Sequence, residues 1–469
     1  MTRLLPPPAP GKFYRFGLVT CLAVSAAGYV ALGYFIPRNA FGPLVLAFAV
    51  LFAASWCLVK WYGDRLMWLL GAALLFRLLL LFAVPALSDD FYRFLWDGRL
   101  VLEGINPFLY TPRQLVQSDW GANEPLTALL FGRMNSPDYY TVYPPVLQSL
   151  FGLAAAFASF SPLGGVVVLR LCILAAEGFS IRLLTQLLAA YGLPPGRVLL
   201  YALNPLVIVE LTGNVHFEAL MIAFLLAFLL ALHREQVRRA ALFLALSAGV
   251  KLLPLLFLPL VLAAKGWKTT LALGAWTAFL FGLCWLPFLS EGLLHIFSSI
   301  NLYFRTFEFN AGVYYLLREA GYRIHGYNVI GTLGPALGLT VLLSVLGLAW
   351  FGKKRAVPLV RLMLPALTGY FLLATIVHPW YMTGLVALGV FTRWKYPIVW
   401  SGVAVLSYAA YRHVPYHEDL RWVFAEYGVV LLAMAHDGYR HHAARANRTA
   451  PLGVTVPPHP GENFPGSGQ

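Results

Sequence analysis

Apolar runs of membrane-spanning length recur along the chain and are separated by short polar connections. Residues 66–87 are the clearest case, because Arg77 is their only charged residue and about 20 apolar residues suffice to cross a bilayer as a helix. The pattern predicts an all-α, polytopic transmembrane protein. The candidate spans are 13–36, 42–61, 66–87, 165–190, 197–212, 217–232, 239–250, 252–264, 269–289, 328–351, 357–377, 380–392, 395–411 and 421–436.

The charged connections predict how these spans are oriented. Lys and Arg concentrate in cytoplasmic loops of membrane proteins, which assigns the basic connections 60–65, 234–239, 265–268, 353–355 and 393–395 to the cytoplasm. The opposite face then receives 88–142, 213–218, 290–327, 378–381 and 412–420. Acids gather in the first of these outer loops, at Asp89, Asp90, Asp97, Glu103, Asp119, Glu124 and Asp138. We therefore expect the outer face to hold the chemistry.

One transmembrane domain is expected over residues 1–442, with two long outer loops, 88–142 and 290–327, that carry interfacial helices. Because 88–142 and 213–218 lie on the same face, the apolar piece 146–160 must be re-entrant or lie along the interface. A short outer turn at 247–254 would leave Lys251 near the outer side. The polar, Pro- and Gly-rich residues 443–469 predict a disordered cytoplasmic tail.

Composition narrows the class further. The chain is 59% hydrophobic and 12% charged, whereas soluble domains carry roughly 25% charged residues. The net charge of +14 follows from basic cytoplasmic loops. The sequence has no stripe of basic residues interleaved with aromatic residues, which would be the pattern typical of nucleic-acid binding. The four cysteines lie singly in apolar runs without metal-ligand spacing, so neither disulfides nor a zinc site are predicted.

Two adjacent carboxylates, Asp89 and Asp90, stand where the apolar run 66–87 ends. One explanation is structural, since Ser88 can cap a helix and acids in its first turn oppose the helix dipole. The other is functional, because ionisable groups at a membrane are costly and usually serve a purpose. On a helix Asp89 could pair with Arg93, four residues on, and Asp90 would share a face with Asp97.

Further polar and aromatic groups mark the other outer edges. Tyr143 precedes two prolines, and His216 and Glu218 share a very short turn. Arg305 lies in the second outer loop, and His378 and Tyr381 close another outer edge. Each has an ordinary explanation as an interfacial anchor or a satisfied polar group. Glu177 lies inside an apolar run and needs a partner, for which Arg170 or Arg182 would serve.

The order of these segments resembles the membrane glycosyltransferases of the GT-C superfamily. It is most similar to the bacterial polyprenol-phosphate-mannose-dependent mannosyltransferases, with the mannosyltransferase of GPI-anchor assembly as a distant relative. The resemblance covers about 88–381 and rests on short motifs that are weak singly but specific in order. These are Asp89-Asp90-Phe91-Tyr92 with Asp97, Gly104-x-Asn106-Pro107-Phe108, Tyr143-Pro144-Pro145, Asn204-Pro205, Gly213-Asn214-x-His216-x-Glu218, Phe307-Glu308-Phe309-Asn310 and His378-Pro379-Trp380-Tyr381.

The resemblance implies a catalytic base at Asp89, with Asp90 as the alternative. It also implies transfer of a hexose, mannose above all, from a polyprenyl-phosphate donor to a glycan or glycolipid acceptor, with inversion. The enzyme would be integral to the bacterial inner membrane, with its active site facing the periplasm or exterior. Relatives of the GPI type have Asp-x-Asp where this chain has Asp89-Asp90, so the identity of the base and a divalent metal both stay open, and no cofactor is expected.

This chemistry needs one base and several cations. The acceptor hydroxyl must lose a proton as it attacks, whereas the phosphate leaving group needs no carboxylic acid to protonate it. Cations would neutralise that phosphate instead, and candidates are Arg93, His216, Lys251, Arg305 and His378. The remaining predicted substrate-binding residues are Asp97, Tyr143, Glu218 and Tyr381.

Two other functions are compatible with a polytopic protein of this kind. A transporter or lipid flippase would have ionisable residues near the midplane, broken helices and two matching halves. No internal repeat is evident, and the acids gather in an outer loop. A polysaccharide polymerase or ligase would differ in using a polyprenyl-diphosphate oligosaccharide as its donor.

Overall fold

The computed structural model describes residues 12–118, 120, 124–158 and 161–449, and within them the all-α prediction is confirmed. The α-helices are α1 Lys12–Tyr34, α2 Phe41–Tyr62, α3 Leu66–Leu79, α4 Asp90–Leu102, α5 Pro112–Val116, α6 Pro125–Arg133, α7 Pro145–Ala155, α8 Pro162–Ala190, α9 Leu199–Ala202, α10 Glu218–His233, α11 Val237–Val250, α12 Leu258–Trp285, α13 Gly292–Arg305, α14 Val313–His325, α15 Ile330–Arg355, α16 Leu359–Leu373, α17 Met382–Gly389, α18 Tyr396–Val403 and α19 Leu420–Thr449. Short 3₁₀ segments at Pro195–Val198, Leu253–Phe257, Leu286–Phe288, Pro379–Tyr381 and Ala404–Arg412, and a π-helical segment at Val207–Gly213, complete the chain.

The long apolar helices confirm the membrane character of the chain. Four helical stretches of the described residues are long and apolar enough to cross a bilayer: Phe13–Tyr34, Phe41–Tyr62, Leu253–Phe288 and Ile330–Arg355. The segments Pro195–Ala202 and Val207–Gly213 make a fifth if the bent pair counts as one span. Shorter apolar helices fill the other predicted positions, among them α3, α7, α10 and α16.

Two predicted spans are wrong in shape. The run 66–87 is helical only as far as Leu79; Pro85 lacks an N–H and disfavours helical backbone before it. The run 197–212 is broken and bent by 58°. Pro205 interrupts it, and the Asn204 side chain accepts hydrogen bonds from the backbone N–H groups of Leu206 and Val207 to start the next segment.

The break predicted between 252–264 and 269–289 is present. Gly266 has φ +78° and ψ 173° inside α12, a backbone conformation that glycine adopts without steric cost. The last helix, α19, continues to Thr449, past the start of the predicted tail at 443, because the sequence there is rich in Ala and Arg and sustains a helix. The rest of that tail lies outside the described residues.

The start of the loop 88–142 packs on the apolar piece 146–160, which was predicted to be re-entrant or to lie along the interface. Helix α4 packs closely on α7, where a Cβ at Gly98 would lie 2.0 Å from the carbonyl oxygen of Phe151. The rings of Phe94 and Phe151 stack with centroids 4.7 Å apart. Helix α7 therefore supports α4, the helix that begins at the carboxylate pair.

Four polar side chains are buried among the helices: Arg77, Arg170, Glu177 and Thr212. We call them the buried polar cluster. Arg77 Nε lies 2.6 Å from Glu177 Oε2, and the Thr212 hydroxyl donates to the same oxygen at 2.7 Å. Arg170 donates instead to the carbonyls of Leu81, Thr212 and Gly213. The partner of Glu177 is thus Arg77, not Arg170 or Arg182, because Arg170 is needed by the carbonyls of the π-helical segment.

The second outer loop is helical and is fastened to the C-terminal half. Its helices α13 and α14 expose apolar side chains, including Leu294, Phe297 and Ile324, as an interfacial segment would. Between them Phe309 forms an isolated parallel bridge with Ile376. The buried Asn310 side chain donates to the Val377 carbonyl at 3.3 Å and to the Glu426 carboxylate at 3.2 Å.

Candidate functional site

The carboxylate pair lies at the start of α4. Asp89 is the residue before the first helical turn, and Asp90 is the first residue of the helix. The Ser88 hydroxyl accepts a hydrogen bond from the Asp90 N–H at 3.3 Å, so it contributes to the helix start one position earlier than a standard cap. Neither aspartate side chain caps the helix or is fully buried, which leaves both carboxylates accessible.

Asp89 pairs with Arg38, and the expected pair with Arg93 is wrong. The Arg38 guanidinium contacts the Asp89 carboxylate, and both side chains keep 32% exposure. Arg38 also lies over the Tyr411 ring, 4.7 Å from its centroid. Sequence reasoning missed Arg38 because the positive-inside rule directs attention to cytoplasmic arginines; its place between the first two apolar runs was the available signal.

Asp90 faces a different set of groups. The exposed Asn135 side chain donates to Asp90 Oδ1 at 3.0 Å. Burial raises the pKa of the nearby Tyr143 hydroxyl well above its usual value, and the charges of Asp90 and Glu218 raise it further. Tyr143 therefore stays a protonated hydroxyl near these carboxylates. Within the described chain, Asp90 has the Asn135 amide as its side-chain hydrogen-bond partner and forms no ion pair.

Arg93 and Asp97 were predicted to bind substrate, yet the structure places them inside. Arg93 Nε lies 2.7 Å from Asp97 Oδ1, and both side chains are almost completely buried. Arg93 also donates to the carbonyls of Ser136 and Tyr139, both at 2.9 Å. The Thr141 hydroxyl donates to Asp97 Oδ2 at 2.5 Å. This pair holds the segment 136–141 against α4, so its contribution to the site is to position other groups.

Lys251 is held by an ion pair and an aromatic ring. Its ammonium contacts the Glu218 carboxylate at the start of α10. The same ammonium lies 3.7 Å from the centroid of the Tyr381 ring, a cation–π contact. Its side chain is 35% exposed while that of Glu218 is 6% exposed. Lys251 is therefore the cation that this part of the site presents to a ligand.

A stack of rings closes the site on one side. His216 stacks on Trp380 with centroids 3.8 Å apart, and His378 stacks on the same ring at 4.3 Å. Burial lowers the pKa of His378 to about 3, and the charges of Lys251 and His216 act in the same direction. His378 is thus a neutral hydrogen-bonding group and not the phosphate-neutralising cation that the sequence suggested.

The histidine nitrogens that face the site are distinctive. His216 Nδ1 lies 2.9 Å from the Glu210 carbonyl, which fixes the ring. His216 Nε2 and His378 Nδ1 are buried and have no hydrogen-bond partner within the described residues. Buried polar atoms normally find partners, so these two nitrogens are suited to a bound hydroxyl or phosphate oxygen.

Arg305 is the predicted site residue that the structure does not bring to the cluster. It is exposed at the end of α13 and makes no ion pair with any residue described. The two outer loops do meet, through the stacked rings of Tyr140 and His295 at 4.0 Å and through Tyr139 and Phe307 at 5.2 Å.

The sequence left open whether Asp89 and Asp90 bind a divalent metal ion. Within the described ranges no group of three or more His, Cys, Asp or Glu side chains could hold a metal ion. Asp119, one of the acids predicted for the first outer loop, lies outside the described residues. Among the acids of the candidate site, Asp89, Asp90, Asp97 and Glu218 have the partners Arg38, Asn135, Arg93 and Lys251, respectively.

Just over half of the chain matches a family of known proteins. The family model described as the N-terminal domain of alpha-(1->6)-mannopyranosyltransferases matches residues 22–266, just over half of the chain. The match includes the carboxylate pair, His216, Glu218 and Lys251 and ends before Arg305, His378 and Tyr381.

Two curated relatives are similar over part of their length. Alpha-(1->6)-mannopyranosyltransferase B of Corynebacterium glutamicum is 27% identical over 150 residues, which are 31% of this chain and 24% of that protein. Alpha-(1->6)-mannopyranosyltransferase A of Mycobacterium tuberculosis is 29% identical over 153 residues, 32% of this chain and 27% of that protein. The chain thus matches about a quarter of the length of each relative.

Proposed function

The chain belongs to the alpha-(1->6)-mannopyranosyltransferase family, and from that premise we propose that it is a membrane mannosyltransferase. Its donor is mannose linked to a polyprenyl phosphate, and its acceptor is a hydroxyl of a glycan or glycolipid. The names of both relatives support mannose as the sugar. The membrane-spanning helices support a lipid-linked donor, since such a substrate is held in the bilayer next to the site.

One observation carries the proposal: two accessible carboxylates stand beside a cluster of cations and buried polar atoms. Asp89 and Asp90 keep solvent access at the start of α4. Phe94 of α4 packs on Tyr143 and on Phe217, the residue before Glu218, whose partner Lys251 contacts Tyr381 beside His378. A base for a hydroxyl and donors for a phosphate are thus contiguous, which is what glycosyl transfer from a phosphate requires.

The reaction follows from these groups. The acceptor oxygen attacks the anomeric carbon and gives its proton to an aspartate carboxylate, Asp89 in first place and Asp90 as the alternative. The bond from the anomeric carbon to the phosphate oxygen breaks, and polyprenyl phosphate leaves with the electron pair. A single displacement inverts the anomeric centre. A glycosidase needs a second carboxyl as acid because its leaving group is an alkoxide; a phosphate leaves without one.

The developing negative charge on the phosphate needs donors. Lys251 is the partly exposed cation beside Glu218. A charge-assisted hydrogen bond from its ammonium to a phosphate oxygen would be stronger than a hydrogen bond between neutral groups. The neutral His378 and the nearby His216 offer their unpartnered nitrogens as further hydrogen-bonding groups. Arg38 neutralises Asp89 in the resting state, so it holds that carboxylate in place until the acceptor arrives.

The site faces the non-cytoplasmic side of a bacterial inner membrane in this proposal. The support is the distribution of charge: basic connections alternate with acidic ones, and the carboxylate pair heads the most acidic loop. Arg38 fits the same orientation, since it follows α1 directly and meets Asp89 after α3.

One structural feature favours the alternative function of a transporter. Transporters contain bent or broken helices with polar residues. The bent segment 195–213 is of this kind. The charged side chains beside it are paired, however, Glu177 with Arg77 and Thr212, and Arg170 with backbone carbonyls. Fixed pairs of this sort suit a structural role better than a transport pathway.

The test is a donor panel. Purified protein in lipid nanodiscs is incubated with an acceptor glycan and with polyprenyl-phosphate mannose, polyprenyl-phosphate glucose, a nucleotide-linked mannose or a polyprenyl-diphosphate oligosaccharide. Release of polyprenyl phosphate with a new mannosyl linkage from the first donor is expected, and a parallel reaction with EDTA tests metal dependence. Transfer from the diphosphate donor would instead indicate a polymerase or ligase. Translocation in vesicles without any product would indicate a flippase.

A further inference from the structure

A cavity lies apart from the carboxylate pair, among residues of the C-terminal half of the chain. Its volume is about 670 Å³, within the range of roughly 300–1,000 Å³ that is usual for small-molecule sites. It lies between the end of the 3₁₀ segment Ala404–Arg412, the loop 413–419 and residues Glu308 and Arg318 of the second outer loop. Asp89, Asp90 and Lys251 do not line it.

Aromatic side chains connect this cavity with the carboxylate pair. Tyr416 lines the cavity, and its ring packs on Tyr411 with centroids 6.1 Å apart. Tyr411 lies under the guanidinium of Arg38, which in turn contacts Asp89. A ligand that fills the cavity would therefore extend toward the proposed base.

The charges around the cavity balance. Its lining holds three arginines, Arg318, Arg412 and Arg421, against three acids, Glu308, Glu418 and Asp419. Arg318 pairs with Glu308, and Arg421 Nη2 lies 2.8 Å from Asp419 Oδ2. Such a lining lacks the excess of positive charge that a phosphate requires.

Glu418 contributes little negative charge of its own. It accepts hydrogen bonds from the Asn310 N–H and the Tyr315 hydroxyl, and burial raises its pKa to about 7. Near neutral pH a large fraction of this carboxyl is therefore uncharged. The lining suits a neutral ligand better than an anion or a strong cation.

The accessible groups of the lining are those that recognise sugars. The Tyr416 side chain is 58% exposed and offers a flat apolar face with a polar tip. Arg412, His413 and His417 are exposed around it and supply hydrogen-bond donors and acceptors for hydroxyl groups. An aromatic face with several polar groups and at most a small net positive charge suits a polyhydroxylated, uncharged molecule.

We propose that this cavity binds the acceptor glycan, as a neutral mannose-containing saccharide, through sugar units next to the one that receives mannose. The inference rests on the proposed function, because a glycosyltransferase needs an acceptor site next to its base. The cavity then sets which acceptors are used and how long they must be, while Lys251 and the histidines serve the donor.

The first test uses α-(1→6)-linked mannotetraose as acceptor and compares Tyr416→Ala with wild type. We expect the KM for the acceptor to rise at least about fivefold, a loss of about 1 kcal/mol, while the KM for the donor stays unchanged. His417→Ala is the second variant and should raise the acceptor KM in the same way. The matched control is Tyr439→Ala, which removes a tyrosine of 74% exposure on α19 away from the cavity.

A second readout does not depend on transfer. Diethylpyrocarbonate modifies accessible histidines, and mannotetraose without donor should protect His413 and His417 while inorganic phosphate should not. Protection together with absent transfer would contradict the proposed function and leave the cavity a saccharide site. Transfer without protection, and with an unchanged acceptor KM in both variants, would overturn the cavity proposal alone. Protection by phosphate, or a raised donor KM, would also overturn it and assign the cavity to the donor.

Discussion

The buried polar cluster and the carboxylate pair both join arginine to acid, and they differ mainly in access to solvent. The Arg77 and Glu177 side chains are 2% and 0% exposed, whereas those of Arg38 and Asp89 are both 32% exposed. Every oxygen of Glu177 has a donor from Arg77 or Thr212. Asp90 has one neutral amide as its hydrogen-bonding side-chain partner within the described part of the chain.

The difference separates structural ion pairs from reactive ones. A buried pair with saturated hydrogen bonds has no acceptor capacity left for a substrate, and removing one partner leaves a charge in an apolar surrounding. An accessible carboxylate with spare lone pairs can accept a proton from a hydroxyl. Four changes, taken from the largest expected effect to the smallest, test whether this distinction holds.

Replacing Arg77 with Leu should destabilise the protein most. Glu177 would keep its charge inside the helices, and breaking a buried pair costs about 3–5 kcal/mol. Thermal and denaturant unfolding of purified protein in detergent measures the loss. The double variant Arg77→Leu/Glu177→Leu should recover most of it. Equal stability of wild type and Arg77→Leu would remove the structural half of the comparison.

Replacing Lys251 with Met should weaken use of the donor. Charge-assisted hydrogen bonds contribute about 1.5–3 kcal/mol, so kcat/KM for the donor should fall about 10- to 100-fold, and Lys251→Arg should retain part of the activity. Lys265→Met is the matched control, because Lys265 also pairs with a glutamate, Glu235, at 3.2 Å. A similar loss in both variants would show that Lys251 has no special relation to the donor.

The pH dependence of stability should reveal the buried His378. Its pKa is about 3 in the folded protein and about 6.5 when unfolded, so the unfolded state binds more protons below pH 6.5. Its contribution to stability is complete above pH 6.5 and declines as the pH falls toward 3. Between pH 6.5 and 5.5 we expect a loss of about 1 kcal/mol, which His378→Asn should remove. An unchanged slope in that variant would contradict a buried, neutral His378.

Replacing Arg113 with Ala should have the smallest effect. Arg113 contacts Asp138 in the same outer loop, but the two side chains are 49% and 54% exposed, and exposed ion pairs contribute little. Unfolding temperature and transfer rate should both match wild type. A clear loss of either would show that exposure does not distinguish the pairs of this loop.

Apolar pattern predicted the helices best where nothing interrupts the run. Residues 13–36, 42–61 and 328–351 correspond closely to α1, α2 and α15. It failed at 66–87 and 197–212, where Pro85 and Pro205 end helices that hydropathy alone would extend. Hydropathy measures how apolar a run is, but it does not register that proline lacks a backbone N–H and cannot donate the helical hydrogen bond.

The sequence points to several residues of the candidate site, but it does not reveal which side chains form hydrogen bonds or ion pairs with them. Asp89, Asp90, Glu218 and Lys251 stand out because polar groups at the ends of apolar runs are unusual. Their partners come from distant parts of the chain, as Arg38 and Asn135 do. The cavity at Tyr416 combines three separate segments, so no local pattern could reveal it.

The most direct test of the account is transfer by Asp89→Asn and Asp90→Asn, measured at equal amounts of folded protein. One of the two should lower kcat by about 10²- to 10⁴-fold, the usual contribution of a general base, with an unfolding temperature like that of wild type. That variant identifies the base. Full activity in both variants, or activity lost only in proportion to lost fold, would contradict a catalytic role for the carboxylate pair.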